Sequence, residues 1–140
     1  MITYLSLGTN LGDKYLNLFK AITLIVKKIG NLSAISSIYE SKPYGFQSTN
    51  LFMNIAIKVI TNLQPIELLK NLQEIEKQMG RTKQQFYQDR IIDIDIILYE
   101  DLVYTSKDLT IPHHSYKKRD FVMKPLKEII GCSEVKIKFL

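Results

Sequence analysis

Apolar and polar positions recur along this chain with two periods, and the switches between them mark its elements. Residues 2–7 are a short β-prone run closed by the turn Gly8-Thr9-Asn10-Leu11-Gly12, which predicts a first strand. After Asp13, a candidate N-cap, Tyr15, Leu18, Phe19, Ile22, Ile25, Val26 and Ile29 repeat at helical spacing as far as Gly30. Residues 32–40, rich in Ile and Ser, read as one strand. The eleven residues 41–51 hold a proline and turn formers without periodicity, and a loop of that size tends to be functional or mobile. Residues 52–60 alternate, with Met53, Ile55, Ile57 and Val59 on one face and Phe52, Asn54, Ala56 and Lys58 on the other. Pro65 suits the first position of a second helix, whose face carries Ile66, Leu69, Leu72, Ile75, Glu76 and Met79 until Gly80. A polar loop over 81–89 leads into a last core strand over 91–99, and beyond it the pattern is less regular, with turns expected around Pro112 and Pro125.

The order β-α-β-β-α-β predicts an α+β fold, a ferredoxin-like sandwich in which two helices cover one face of an antiparallel sheet, followed by an irregular C-terminal extension. The other face then needs cover from the C-terminal third or from a ligand. A length of 140 residues suits one domain spanning 1–140. The single cysteine, Cys132, excludes a disulfide framework or a cysteine-cluster metal site. The N-terminus has no signal-peptide pattern, and no apolar run reaches the roughly 18–20 residues of a membrane span, so a cytoplasmic protein is expected. None of this decides chemistry, because a ferredoxin-like fold hosts many functions.

Charge begins to decide it. Nineteen Lys and Arg against fourteen Asp and Glu give +5, which attracts phosphates of any kind. Most of the lysines are scattered and read as a solvated surface. The three arginines, Arg81, Arg90 and Arg119, are planar donors suited to phosphate geometry. In the last strand, period two puts Asp93 and Asp95 on one face, about 6.5–7 Å apart, with Ile92, Ile94 and Ile96 opposite. Such a pair is a magnesium site completed by water and substrate phosphates, or two aspartates that face water or pair with lysines. Arg90, three residues before Asp93, and Arg81, heading the preceding loop, favour phosphate chemistry. Phe52 and Asn54 share a strand face, which suits stacking on a flat heterocycle while bonding its edge. Adjacent His113 and His114 would point to opposite sides of a strand, one of them toward a phosphate. No Walker loop and no serine or cysteine nucleophile motif is present. The rival is a ferredoxin-like module that binds RNA or a small ligand, but Asp93 and Asp95 would repel RNA phosphates, so no nucleic-acid partner is expected.

Taken together, Gly8-Thr9-Asn10-Leu11-Gly12, Pro43-x-Gly45, Asn54, Gly80-Arg81, Arg90-x-x-Asp93-Ile94-Asp95-Ile96-Ile97, Pro112-His113 and Arg119-x-Phe121-x-x-x-Pro125-Leu126 resemble the 6-hydroxymethyl-7,8-dihydropterin pyrophosphokinases of folate biosynthesis. Each element is weak alone, but the ordered set, over about residues 1–130, is highly specific. The resemblance implies diphosphate transfer from ATP to the pterin hydroxymethyl group, leaving AMP, with two magnesium ions on Asp93 and Asp95. It implies a pterin pocket of Ser41, Lys42, Tyr44, Phe52, Asn54, Asp93 and Phe121, the two phenylalanines sandwiching the ring. Gln73, Glu76, Lys83, Arg90, Ile96, Thr110, His113 and Arg119 would contact ATP, and Arg81 and Arg90 would act on the phosphates during turnover. A monomer is expected, and a family member that has lost turnover is the alternative within the family.

Overall fold

The computed structural model describes residues 1–43, 48–81 and 89–131. In chain order come β1 (Ile2–Thr9), α1 (Lys14–Lys28), β2 (Gly30–Ile35), β3 (Tyr39–Ser41), β4 (Phe52–Thr61), α2 (Pro65–Gln78) and β5 (Asp93–Tyr99). A small hairpin, β6 (Tyr104–Thr105) with β7 (Thr110–Ile111), precedes a short 3₁₀ turn at Tyr116–Lys118 and α3 (Asp120–Ile129). The main sheet runs β2-β4-β1-β5, every neighbour antiparallel, with β3 on the same edge of β4 as β2. This is the ferredoxin-like order that the β-α-β-β-α-β pattern predicts.

Local chemistry explains the boundaries. Asp13 caps α1 by accepting from the Leu16 amide at 3.1 Å, and Pro65 opens α2 where its missing N–H costs nothing. Gly80 ends the α2 segment at φ 101°, a conformation that a side chain disfavours. Helices α1 and α2 bury Leu18, Ala21, Ile25, Leu68, Leu72 and Ile75 against Leu5, Leu7, Ile55, Ile57, Ile94 and Ile96 of the sheet. Each of the leucine and isoleucine side chains contributes about 1.5–3 kcal/mol by leaving water, so this layer is the main anchor of the strands that carry the site. Among the described residues, no helix is long and apolar enough to cross a membrane.

Two expectations need correction. The run 32–40 is two strands rather than one. Ser36 interrupts it, its hydroxyl accepting from the Ala56 amide at 2.9 Å and its own amide bonding the Ala56 carbonyl, so β3 restarts at Tyr39. The C-terminal extension is also more regular than its sequence suggests, because α3 continues through Pro125. Val122, Pro125, Leu126 and Ile129 recur at 3.6-residue spacing and are buried, which outweighs the one backbone bond that a proline forfeits. Helix α3 thus covers part of the second sheet face, packing Val122, Leu126 and Ile129 on Ala34, Ala56 and Ile97. The rest of that face is left open as a cavity.

Candidate active site

The cavity, about 280 Å³, lies where β1, β4 and β5 run past the end of α3. Its lining includes Ser41, Lys42, Phe52, Asn54, Arg81, Arg90, Asp93, Asp95, His113, Arg119 and Phe121, all residues singled out from the sequence. Three more line it: Ser6, which the sequence reading passed over, Gly8, which it quoted only within a motif, and His114, which it weighed only as the alternative to His113. For the first two the signal was there to be read. They alternate with buried Leu5 and Leu7 on β1 and stand opposite Asp95 and Asp93 in register, small residues that leave room above the strand.

Strand β5 builds the charged side. With Ile94 and Ile96 locked under the helices, Asp93 and Asp95 emerge on the cavity face. Both oxygens of Asp93 are engaged by guanidinium: Arg81 Nη1 donates to Oδ1 at 2.6 Å and Arg90 Nη1 to Oδ2 at 3.2 Å. Arg81 also donates to Glu76 Oε2, which in turn accepts from the Ile94 amide at 2.9 Å and so ties α2 to β5. Burial pushes Glu76 up to about 7, although Arg81 and the Ile94 amide pull it back down. Asp95 is held well above the usual carboxylate range by burial and by the negative charges of Asp93 and Glu76, with Arg81 and Arg119 only partly opposing them. At Asp95, burial and the repulsion of two neighbouring carboxylates outweigh the pull of Arg81 and Arg119. Among the described residues no group of three or more His, Cys, Asp or Glu is arranged to cage a metal. The Asp93 and Asp95 pair alone suits a hard cation that takes its other ligands from water and phosphates.

Strands β3 and β4 build the neutral side. The Asn54 amide nitrogen donates to the Tyr39 carbonyl at 3.0 Å and to Ser41 Oγ at 2.8 Å. Both of its hydrogens are thereby used, so the amide offers the cavity its oxygen, an acceptor. A Cβ on Gly8 would stand 3.2 Å from that oxygen and 3.6 Å from the Phe52 ring, so the glycine leaves both groups their space. The guanidinium of Arg90 lies 5.7 Å from the centroid of the Phe52 ring, and that of Arg119 5.9 Å from Phe121. Arg90 therefore touches both sides of the cavity.

The histidines depart from the sequence expectation. Following Pro112 they sit in a turn rather than a strand, their rings stack at 4.7 Å, and both reach the cavity. His113 Nδ1 accepts from the Ser115 amide at 3.3 Å. Burial, with help from the positive charges of His114 and Arg119, pushes His113 down to about 4. At pH 7 it is a neutral donor through Nε2. The basic run divides: Lys117 and Lys118 are exposed, while Arg119 turns inward.

Of the other expected residues, Glu76 adjoins the cavity through Arg81. Gln73 is exposed on α2, Thr110 lies in β7, and neither lines the cavity. The Ile96 side chain is buried under the helices, which leaves only its backbone to a ligand. Tyr44 and Lys83 lie outside the described residues.

One further contact holds the site in place. Buried Asn10, in the β1–α1 turn, exchanges backbone and side-chain bonds with Arg90, its amide donating to the Arg90 carbonyl at 3.1 Å and its Oδ1 accepting from the Arg90 amide at 2.7 Å. Its Nδ2 donates to Asp89 Oδ1 at 2.8 Å and to the Asn50 carbonyl at 3.2 Å, while Asn50 Nδ2 donates to Asp89 Oδ2 at 2.7 Å. Hydrogen bonds from Ser48, Asn50 and Asn10 hold Asp89 below the ordinary carboxylate range, against the opposing pull of burial.

The open face of this ferredoxin-like sheet gathers carboxylates, arginines and aromatic rings, a set suited to phosphate chemistry. The chain belongs to the 7,8-dihydro-6-hydroxymethylpterin-pyrophosphokinase family, whose model matches residues 4–131. It is 42% identical over 126 residues to the 2-amino-4-hydroxy-6-hydroxymethyldihydropteridine pyrophosphokinase of Aquifex aeolicus, covering 90% of this chain and 78% of that protein. It is equally identical, over 126 residues and 89% of its length, to the folic acid synthesis protein fol1 of Schizosaccharomyces pombe, of which it spans only 17%. In fold it resembles the Plasmodium falciparum HPPK-DHPS structure, with TM-score 0.73, 18% identity, and coverage of 92% of this chain and 40% of that one.

Proposed function

We propose that this cavity is where the chain, as a pyrophosphokinase of folate biosynthesis, moves diphosphate from ATP to 6-hydroxymethyl-7,8-dihydropterin. The pterin hydroxyl oxygen attacks the β-phosphorus, the bond from that phosphorus to the α–β bridging oxygen breaks, AMP leaves, and the hydroxyl proton passes to solvent. The observation that carries this reading is the pair of arginines on the two oxygens of Asp93, beside a second, buried carboxylate, Asp95, on the same face of β5.

Magnesium fits that donor pair, and on Asp93 and Asp95 it would neutralise the ATP phosphates. Arg81 and Arg90, already poised at Asp93, supply the charge that phosphoryl transfer asks of a protein, together with positioning. Arg119 and the Nε2–H of His113 extend the donor set for ATP. Phe52 and Phe121 offer aromatic surface to the pterin, and the Asn54 oxygen accepts from a donor on its edge. Ser41 and Lys42 close that rim, and Tyr44, Lys83, Gln73, Thr110 and the Ile96 backbone complete the contacts that the family pattern assigns. We take the chain to act as a monomer in the cytoplasm, a compartment with which its single cysteine is compatible.

The test is chromatography of ATP, magnesium and the pterin incubated with the protein. AMP and pterin diphosphate rising together, only with every component present, is the expected result. Accumulation of ADP would overturn the reaction type, and calorimetric binding of both ligands without product would identify a member that has lost turnover.

A further inference from the structure

Away from the cavity, one carboxylate collects three hydrogen bonds that the reaction does not explain. Glu128, in the last turn of α3, accepts from Ser37 Oγ at 2.7 Å and Tyr39 Oη at 3.2 Å through Oε1, and from the Ser37 amide through Oε2. Its partners lie about ninety residues back, in the break after β2 and at the start of β3. Strand β3 is three residues long and, among the described residues, pairs only with β4. So short an edge strand has little of its own to keep it in register. Yet its Tyr39 carbonyl and Ser41 hydroxyl are the two acceptors that fix the Asn54 amide, and its Ser41 lines the cavity.

We infer that Glu128 is a positioning residue for the pterin side of the site. By latching Ser37 and Tyr39 to α3, it holds β3 in register. Register decides where the Tyr39 carbonyl and Ser41 hydroxyl stand, and those two decide which end of the Asn54 amide faces the ligand. A flipped amide would present a donor where an acceptor is needed. The same helix begins at Asp120 and carries Phe121 in the cavity, so α3 joins the aromatic surface at its first turn to the latch at its last. Cutting the latch therefore weakens recognition of the pterin and leaves the nucleotide side, built on β5 and α2, unaffected. The inference rests on the assignment of the pterin to this rim, and the experiment separates the two.

Steady-state kinetics on Glu128→Gln, Asn54→Ala and the double variant, with thermal unfolding of each, make the test. Glu128→Gln is expected to raise KM for the pterin about fivefold, the scale of one or two ordinary hydrogen bonds, with KM for ATP and kcat within twofold. Its effect should vanish in the Asn54→Ala background, because both changes act through one amide. A lower unfolding temperature with both KM values unchanged would make Glu128 a structural strut and overturn the inference. So would additive effects in the double variant. If Asn54→Ala itself leaves the pterin KM unchanged, the assignment of the rim fails instead. Should Glu128→Gln not fold, Ser37→Ala with Tyr39→Phe removes two of the donors and is expected to give the same split between the two KM values. Unchanged KM values there would also overturn the inference.

Discussion

The two rims of the cavity are built on opposite physics. On the β5–α2 rim, Glu76, Asp93, Arg81 and Arg90 hold one another by charge with Asp95 beside them, and burial shifts Glu76 and Asp95 upward. On the β3–β4 rim an amide, a hydroxyl and an aromatic ring, with Lys42 beside them, are held by backbone register and neutral hydrogen bonds. A charge network rearranges when a polyanion arrives, because the arginines exchange one set of anionic partners for another. A register cannot rearrange without unzipping a strand. One rim is thus suited to a partner whose charge changes during the reaction, and the other to a flat ring that has to be recognised and held while the hydroxyl it carries reacts.

The strongest way to break this contrast is Asp95→Asn, which removes charge and keeps volume. Turnover measured as AMP release is expected to fall by about a thousandfold or more, since it rests on electrostatic stabilisation, while the pterin KM stays near its original value. Activity within tenfold of the parent would mean that the charged rim does not serve the phosphates.

Next come the arginines, which sharpen the contrast because they differ. Arg81→Lys and Arg90→Lys should each lower kcat about a hundredfold by replacing a planar donor with a point charge. Only Arg90→Lys should also shift the pterin KM, because Arg90 alone of the pair lies over the Phe52 ring. Identical KM profiles for the two variants would remove Arg90 from the neutral rim. Smaller again is Phe121→Ala, expected to raise the pterin KM about tenfold through loss of aromatic surface, with kcat changed severalfold at most.

The smallest effect concerns stability. His113 is lowered from 6.5 to about 4, so between those values the unfolded chain binds a proton that the folded one does not. Its contribution is complete above about pH 6.5 and declines as pH falls toward 4. Urea midpoints at pH 7 and pH 5 should therefore differ less in His113→Gln than in the parent. An equal drop in both would assign the acid sensitivity elsewhere, Asp89 being the next carboxylate to examine at lower pH.

How far these rims were legible in the sequence follows from the same division. The alternation of Ile92, Ile94 and Ile96 against Asp93 and Asp95 survives intact, because a buried strand cannot slip by one residue without exposing its apolar face. Both helices under the sheet were equally plain, since their stripes have no competitor. What escaped was structure decided by contacts distant in sequence. Ser36 ends β2 because its hydroxyl and amide meet Ala56, a partner that no local window contains. Proline inside α3 reads as a break until one notices Val122, Leu126 and Ile129 around it, and a buried face then outvotes the local rule. His113 and His114 share a side because they follow Pro112 in a turn, where strand alternation no longer applies. The family motif found most of the cavity's residues by position, but it could not reveal that Asp93 meets two arginines or that Asn54 shows its oxygen.

The carboxylate of Asp89 has a practical consequence for protein engineering. Residues 82–88 invite exchange between relatives as a cassette, and the natural place to cut is beside Arg90. A cut there would discard a carboxylate that accepts from both Asn10 and Asn50, and with it two of the bonds that fasten the 48–50 segment to the β1–α1 turn. Grafts should keep Asp89 with the host, or transfer Asn10 and Asn50 along with the insert.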